Sequence, residues 1–416
     1  IDDLAVRPTN SVLRFAGEEQ DVSIAGRSLG VDAVLDGRVQ EENGLLRVTL
    51  QLISVSTGDQ LWSDQFDGKV GQILPLQDVI SGKLMSALQR RDSDQTLHII
   101  TQDSDAYEAY LKGRYFWNQR TPDNYSKAIT SFQEAIRLDP NFALAYSGLA
   151  DSYVLVNRRL DDEPATIMLR AEEAARRGLE LNDRLAETHT SMAAVLCAFR
   201  RDWQRSNEHF LRAIELNPRY AIARAWYGLN LISLGRFDEA EQQLEAARRL
   251  DPTSRNIAVY SIVNFYHSRN FDAAIERGKA AIELDPQLST AYMYMGQAYE
   301  QRGMFAEAVE TELERYKSIL PDEVDGLRAA FAKSGIRGFW QKQIEVKKRQ
   351  YDQGVNCRQE LATRYALLGE VNKALWVIEE NFRFGGTCWN GLANEPAFDG
   401  LRSHPRFQAV MREMGF

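Results

Sequence analysis

Three prolines, Pro218, Pro252 and Pro286, follow one another at intervals of 34 residues, and each closes a nearly identical phrase: Glu-Leu-Asn-Pro, Arg-Leu-Asp-Pro and Glu-Leu-Asp-Pro. Pro140 ends a fourth, Arg-Leu-Asp-Pro. This period constrains the chain more than its composition does. A short repeated unit cannot bury its own apolar face, so the units must stack into an elongated array held by nearest-neighbour contacts. Proline lacks an amide hydrogen and pushes the residue before it out of the helical region, so each phrase marks the exit from a helix. Such arrays are usually surfaces for holding something and seldom catalysts.

Within each period the apolar residues keep helical spacing twice over, with small residues where two helices approach and aromatics where units meet. The first unit places Gly113, Phe116, Ala128, Phe132, Ala135 and Pro140 in this pattern. The second has Tyr146, Ala150, Tyr153, Ala171 and Gly178, with an enlarged turn around Asp161 to Pro164 and Asp183 where proline is expected. The fourth has Gly228, Leu231, Gly235, Ala240, Leu244, Ala247 and Pro252. The spacing and residue types resemble the tetratricopeptide repeat, a helix–turn–helix unit. Six such units fit residues 105–321. Val324 to Gln353 reads as two irregular helices. A degenerate seventh unit follows (Tyr365, Gly369, Ala374, Ile378), broken at Gly385-Gly386, and the tail to Phe416 is expected to form a capping helix.

Residues 1–90 differ in kind. Val6 closes a short apolar strand, and Val22 to Leu29 predicts a helix stopped by Gly30. Ala33 to Val39, Leu46 to Leu52 and Gln60 to Phe66 predict three antiparallel strands, the first turn being Glu42-Asn43-Gly44. Leu76, Val79, Ile80, Leu84 and Leu88 keep helical spacing. Residues 91–104 are polar and read as a linker, and residues 322–416 as irregular helices, a degenerate repeat and a cap. The predicted fold is therefore mainly α: a right-handed superhelical solenoid preceded by a small α+β domain with an antiparallel meander.

The chain of 416 residues has a formal net charge of −9, which argues against a phosphate-binding surface and hence against direct nucleic-acid binding. No apolar run reaches the roughly 20 residues needed to span a bilayer. Cys197, Cys357 and Cys388 are scattered and odd in number, and no histidine pair has metal-ligand spacing. No phosphate loop, nucleophile elbow or kinase signature is present. The chain is read as non-catalytic, with neither cofactor nor metal.

Leu29-Gly30-Val31-Asp32-Ala33-Val34-Leu35-Asp36-Gly37-Arg38-Val39, Arg47 to Ile53 and Thr57-Gly58-Asp59-Gln60-Leu61-Trp62-Ser63 resemble the TolB-like (FlgO-like) domain of bacterial signalling proteins. Ala106-Tyr107-Glu108-Ala109-Tyr110-Leu111-Lys112-Gly113-Arg114-Tyr115 resembles that family's entry into its repeats, and Leu401-Arg402-Ser403-His404-Pro405-Arg406-Phe407 its closing segment. The resemblance implies the sensor part of a CadC-like transcriptional regulator, or the regulatory region of a class III adenylate cyclase or Ser/Thr kinase. A CadC-like parent implies a periplasmic location, the others a cytoplasmic one. It also implies that the small domain is partial, with an exposed edge strand near Leu4–Arg7 that either stays open or pairs with a second copy.

In this architecture the first helix of each unit lines a concave groove. The positions that face it are Asp151, Val154 and Leu155 in the second unit and Cys197 in the third. The fourth gives Leu229 and Ile232, the fifth Asn256, Val259, Tyr266 and His267, and the sixth Met293, Gln297 and Glu300. This mixed, partly apolar lining suits a protein segment, a peptide or a small ligand. Alternatively, the groove covers the chain's own C-terminal segment. His267 is its only histidine, which either senses pH or is an ordinary surface residue.

Overall fold

The computed structural model describes residues 6–13, 15, 21–69, 73–88, 101–156, 164–352, 359–383 and 391–416. The expected linker and the enlarged turn of the second unit fall largely outside these residues. Gly385-Gly386, Cys357 and Cys388 fall wholly outside them.

The small domain forms as its turn chemistry dictates. Strands β1 (Ala33–Glu42), β2 (Leu45–Ser54) and β3 (Gln60–Lys69) make an antiparallel sheet in that order. Asn43 and Gly44 supply the two positive φ angles, 54° and 77°, that a tight hairpin needs. Helix α1 (Thr9–Leu13) precedes α2 (Val22–Leu29), which starts where the Asp21 carboxylate accepts from the Ser23 and Ile24 amides and stops at left-handed Gly30. Helix α3 (Ile73–Ala87) lies on β3, with Leu76 over Gly68.

Val6, Arg7 and Pro8 are not in a strand, which corrects the expected edge strand where it falls within the described residues. The reason is Arg7. Its guanidinium donates to the carbonyls of Leu29 (2.8 Å) and Gly30 (3.0 Å) at the end of α2. It also donates to those of Arg249 (2.7 Å) and Leu250 (3.2 Å) at the end of a solenoid helix. Two carbonyl-rich helix ends draw one cation between them, and the backbone follows.

Six helical hairpins come next: α4 (Ser104–Asn118) with α5 (Pro122–Leu138), α6 (Ala143–Leu155) with α7 (Pro164–Leu181), and α8 (Ala186–Val195) with α9 (Trp203–Leu216). Then follow α10 (Ala221–Ser233) with α11 (Phe237–Leu250), α12 (Arg255–His267) with α13 (Phe271–Leu284), and α14 (Ser289–Gln301) with α15 (Phe305–Ile319). Helix α16 (Val324–Asp352) is two helices across a kink, with Gly335 at φ 61°. Helices α17 (Gln359–Leu367), α18 (Val371–Arg383) and α19 (Pro405–Glu413) complete the chain, with short 3₁₀ turns at Leu392–Asn394 and Pro396–Leu401. Among the described residues no helix is long and apolar enough to cross a membrane.

The repeated phrases have a local cause. Asp139, Asn217 and Asp285 end their helices in extended conformation, and each side chain accepts from the amide two residues on, at 2.9, 3.0 and 2.9 Å. Proline fixes the residue between. Asn182 makes the same turn at 3.0 Å without proline, so the second unit keeps its exit. The small residues also explain themselves. The ring of buried Phe132 lies between Gly113 and Gly148, where a Cβ would come within 2.6 and 2.5 Å of it. That aromatic thus seals the first unit to the second.

Candidate functional site

From unit to unit the first helices (α4, α6, α8, α10, α12, α14) pack on one another, whereas each second helix packs on its own partner and on the next first helix. The first helices form the inner layer, and their exposed side is the groove. It divides into two halves of different character.

The distal half is filled by the chain itself. Asn394 donates to the carbonyls of Ile232 (3.0 Å), which also accepts from the Gly235 amide, and Ser233 (3.3 Å) at the end of α10. The Tyr266 hydroxyl donates to Glu395 at 2.6 Å. Arg269 donates to Asp399 at 2.6 Å. Gly391, at φ 83°, passes so close to His267 that a Cβ would lie 2.7 Å from the ring. Farther on, the Trp203 indole donates to the Met414 carbonyl at 3.0 Å and its ring meets Phe416. Behind this segment lies a buried polar network. Glu300 accepts from Trp340 (2.8 Å) and pairs with Arg364 (2.6 Å), and Arg315 pairs with Glu312 (3.2 Å) and Glu360 (2.6 Å). Burial alone would raise the Glu360 carboxyl, but Arg315 and Lys347 hold it well below the usual carboxylate range.

Of the residues expected in the groove, Ile232, Tyr266 and His267 are therefore fully buried under the C-terminal segment, and Glu300 under α16 and α17. Gln297 and Val259 are also buried. Leu229, Asn256 and Met293 are half-buried. His267 is no surface residue: burial holds its imidazole down at about 4, so it stays neutral across physiological pH. Val154 and Leu155 pack half-buried against the core, and Cys197 lies half-buried in a π-turn, its thiol pushed up to about 12 by burial.

The proximal half, on α4, α6, α8 and the start of α10, has a second polar cluster. Asp151 is buried and accepts from Ser191 at 2.7 Å, and burial pushes its carboxyl up to about 6. Tyr110, Arg114, Glu187 and Tyr220 are half-buried around it and feel one another's charge. Arg114 and Arg120 both lie on buried Trp117, 4.5 and 3.6 Å from the ring centre. Tyr260 lies near both Arg120 and Tyr125, and Trp226 meets Trp117 ring to ring at 6.1 Å.

These arginines, Trp117, and the Asn394–Asp399 segment were not singled out from sequence. One signal was available. The turn between the two helices of a unit ends in a left-handed residue, which is glycine at Gly235, Gly303 and Gly369 but arginine at Arg120, Arg201 and Arg269. A left-handed residue with a Cβ costs about 1–2 kcal/mol, so three arginines there invite a reason. Two are plain: Arg269 holds Asp399, and Arg201 lies over Phe382 at 4.5 Å.

A stacked array of helical hairpins with an inner groove is the architecture of a tetratricopeptide-repeat protein. Family models agree: residues 123–156 match that described as TPR repeat, and residues 198–255 and 264–324 that described as Tetratricopeptide repeat. The chain thus carries tetratricopeptide repeats. It is similar to "Transcriptional regulator HilA" of Salmonella typhimurium, 25% identical over 205 residues, covering 49% of this chain and 36% of that protein. It is also similar to "Putative adenylate cyclase 3" of Rhizobium meliloti, 26% identical over 159 residues, 36% of this chain and 26% of that one. The chain thus matches only about a third of these relatives' length. Yeast Tom70 is a similar solved structure, with a TM-score of 0.43 and 16% identity over 82% of this chain and 77% of that one. The fold implies a protein-interaction module. Among the described residues no group of three or more His, Cys, Asp or Glu is placed to hold a metal ion.

Proposed function

We propose that the chain is a non-catalytic signal-input and protein-interaction module of a bacterial regulator. One observation carries this reading. Two relatives with different outputs by name, a transcriptional regulator and a cyclase, are similar to 49% and 36% of this chain, which covers 36% and 26% of their lengths. A region common to different outputs is best understood as an input. A protein, peptide or small ligand binds the proximal groove, and binding shifts the population of conformers that an attached output domain senses. The distal groove stays closed by the chain's own segment. The small sheet domain is read as TolB-like; the compartment follows the parent, periplasmic for a CadC-like one and cytoplasmic for a cyclase or kinase.

Selection of a displayed peptide library on the intact chain tests this, with the bound site mapped by amide hydrogen exchange. Saturable ligands that protect α4, α6 and α8 are expected. Ligands that protect only the outer faces of α5 and α7, or no saturable ligand at all, would overturn it.

A second reading is an assembly scaffold. Leu35 and Val39 on β1 are 41% and 67% exposed, and among the described residues β1 pairs only with β2. An open edge with apolar side chains invites pairing with a second copy. Light scattering that finds a strict monomer at high micromolar concentration excludes this.

A further inference from the structure

Among the described residues strand β1 leaves one side of the small sheet open, and the residues along it are matched to themselves. The hairpin fixes which groups face outward. Asn43 and Gly44 form a two-residue loop, so Glu42 and Leu45, which flank it, exchange both backbone hydrogen bonds. Such pairs alternate along an antiparallel ladder. Asp36 and Arg38 therefore bond inward to Gln51 and Thr49, and Leu35, Gly37 and Val39 aim their N–H and C=O groups at the open edge. These last three lie on one face of the sheet, with Leu52, Leu50 and Val48 opposite them on β2. That face stays apolar up to the edge because Leu50 lies over Gly37, where a Cβ would meet it at 2.4 Å. Helix α3 covers the same face over β3, with Leu76 at Gly68 and Lys83 at Asp64, and leaves Leu35 and Val39 exposed. Asp36 and Arg38 occupy the other face, where Gln51 donates to Asp36 at 2.9 Å. Strand β1 has no proline, lysine or bulge, the usual guards of an edge.

We propose that β1 pairs antiparallel with the β1 of a second copy about a two-fold axis through Gly37. The proposal rests on the assembly-scaffold reading and adds the surface and its register. With Gly37 opposite itself, Leu35 faces Val39 of the second copy on the apolar side, and Asp36 faces Arg38 of the second copy on the other. The symmetry repeats both matches. The outward backbone groups of Leu35, Gly37 and Val39 then exchange hydrogen bonds across the joint. The charged pairs fall at the positions between, where facing side chains stand closest. Neighbouring registers are worse. A slip of one residue sets the apolar face of one copy against the polar face of the other. A slip of two centres the pair on Asp36 or on Arg38 and sets like charges directly opposite each other. The axis runs perpendicular to the sheet, so both apolar faces stay on the same side and the pair closes as a dimer with no β1 edge left open.

Sedimentation equilibrium of the intact chain, from low to high micromolar concentration, reads the association. A saturable monomer–dimer equilibrium is expected. Arg38→Asp and Asp36→Arg each set like charges opposite each other twice in the dimer, so each should weaken dimerisation at least tenfold. An equimolar mixture of these two variants should associate at least as tightly as the parent, because every facing pair is then of opposite charge. The double variant, Asp36→Arg with Arg38→Asp, should pair with itself for the same reason. The register has its own readout. Leu35→Cys with Val39→Cys should lock into a dimer on mild oxidation, since facing Cα atoms at such a position lie about 5.5 Å apart, within disulfide reach. Either cysteine alone should cross-link no more than the parent. A parent dimer that both charge reversals leave unchanged, a mixture that associates no better than its components, or growth beyond a dimer overturns this inference and leaves the scaffold reading standing. A strict monomer at high micromolar concentration overturns both. Circular dichroism separates loss of pairing from loss of the fold.

Discussion

At the scale of single residues, Asp151 is 2% exposed and its carboxyl is raised to about 6. The folded chain therefore binds this proton more tightly than the unfolded chain, whose aspartate titrates near 3.9. Below about pH 4 both states are protonated and the group is neutral to stability. As pH rises from about 4 through 6, folding must increasingly bury a charge, and stability falls. Asp151→Asn keeps an oxygen to accept from Ser191 but cannot ionise. It should stabilise the chain at pH 7.5 by about 1–3 kcal/mol and by much less at pH 4.5, as urea unfolding at the two pH values would read. A variant no more stable at pH 7.5 than the parent would show that Arg114 and Arg120 already compensate the charge. Glu300 and Arg364 present the opposite case. Both side chains are 2% exposed and pair at 2.6 Å, so Arg364→Met strands a buried carboxylate and should cost about 3–5 kcal/mol. The double variant with Glu300→Gln should recover much of this, and a double-mutant cycle showing no coupling would refute the pairing.

At the scale of elements, Phe132 on α5 joins α4 and α6 because glycine stands opposite it on both. Gly148→Ala should overpack that joint and cost about 1–3 kcal/mol, lowering the melting temperature, whereas Gly82→Ala, with nothing near its Cβ position, should not destabilise. Contacts of this kind were legible in the sequence, since they recur with the period: Gly113 and Phe132, Gly228 and Leu244, and the Asp or Asn before each proline. That the first helices form the inner layer was legible for the same reason. What covers them was not. Tyr266 finds Glu395 129 residues away and Glu300 finds Arg364 64 residues away, from segments without periodicity. Asn394 binds backbone carbonyls, and a carbonyl carries no sequence signal. The left-handed arginines were obscured by the habit of expecting glycine or asparagine in that conformation, although aligning the units would have set Arg120, Arg201 and Arg269 against Gly235 and Gly303.

At the scale of the whole molecule, the C-terminal segment alters how an array of repeats holds together. A bare solenoid is stabilised unit by unit, and each unit senses only its neighbours. Here Phe382, Asn394, Asp399 and Met414 return to units three, four and five through Arg201, the end of α10, Arg269 and Trp203. Units three to seven are thereby closed into one cooperative body, whereas units one and two, among the described residues, have no such tie to the C-terminal segment and reach unit four through Trp117, whose ring meets Trp226. Asn394→Ala with Asp399→Ala removes two of these ties without touching the apolar core. Given about 1 kcal/mol for each net hydrogen bond and less for an exposed ion pair, the joint loss should be roughly 1–2 kcal/mol. Its distribution is the test. Amide hydrogen exchange should quicken in residues 391–402 and at the ends of α10 and α12, and stay unchanged in α4 to α7. Uniform acceleration along the array would mean that the chain opens as a single unit, and no acceleration would mean that the segment is held by its apolar residues alone. The expected gradient places the self-closed half next to one without ties to the C-terminal segment, so a ligand bound in the proximal groove meets a braced body at its far end.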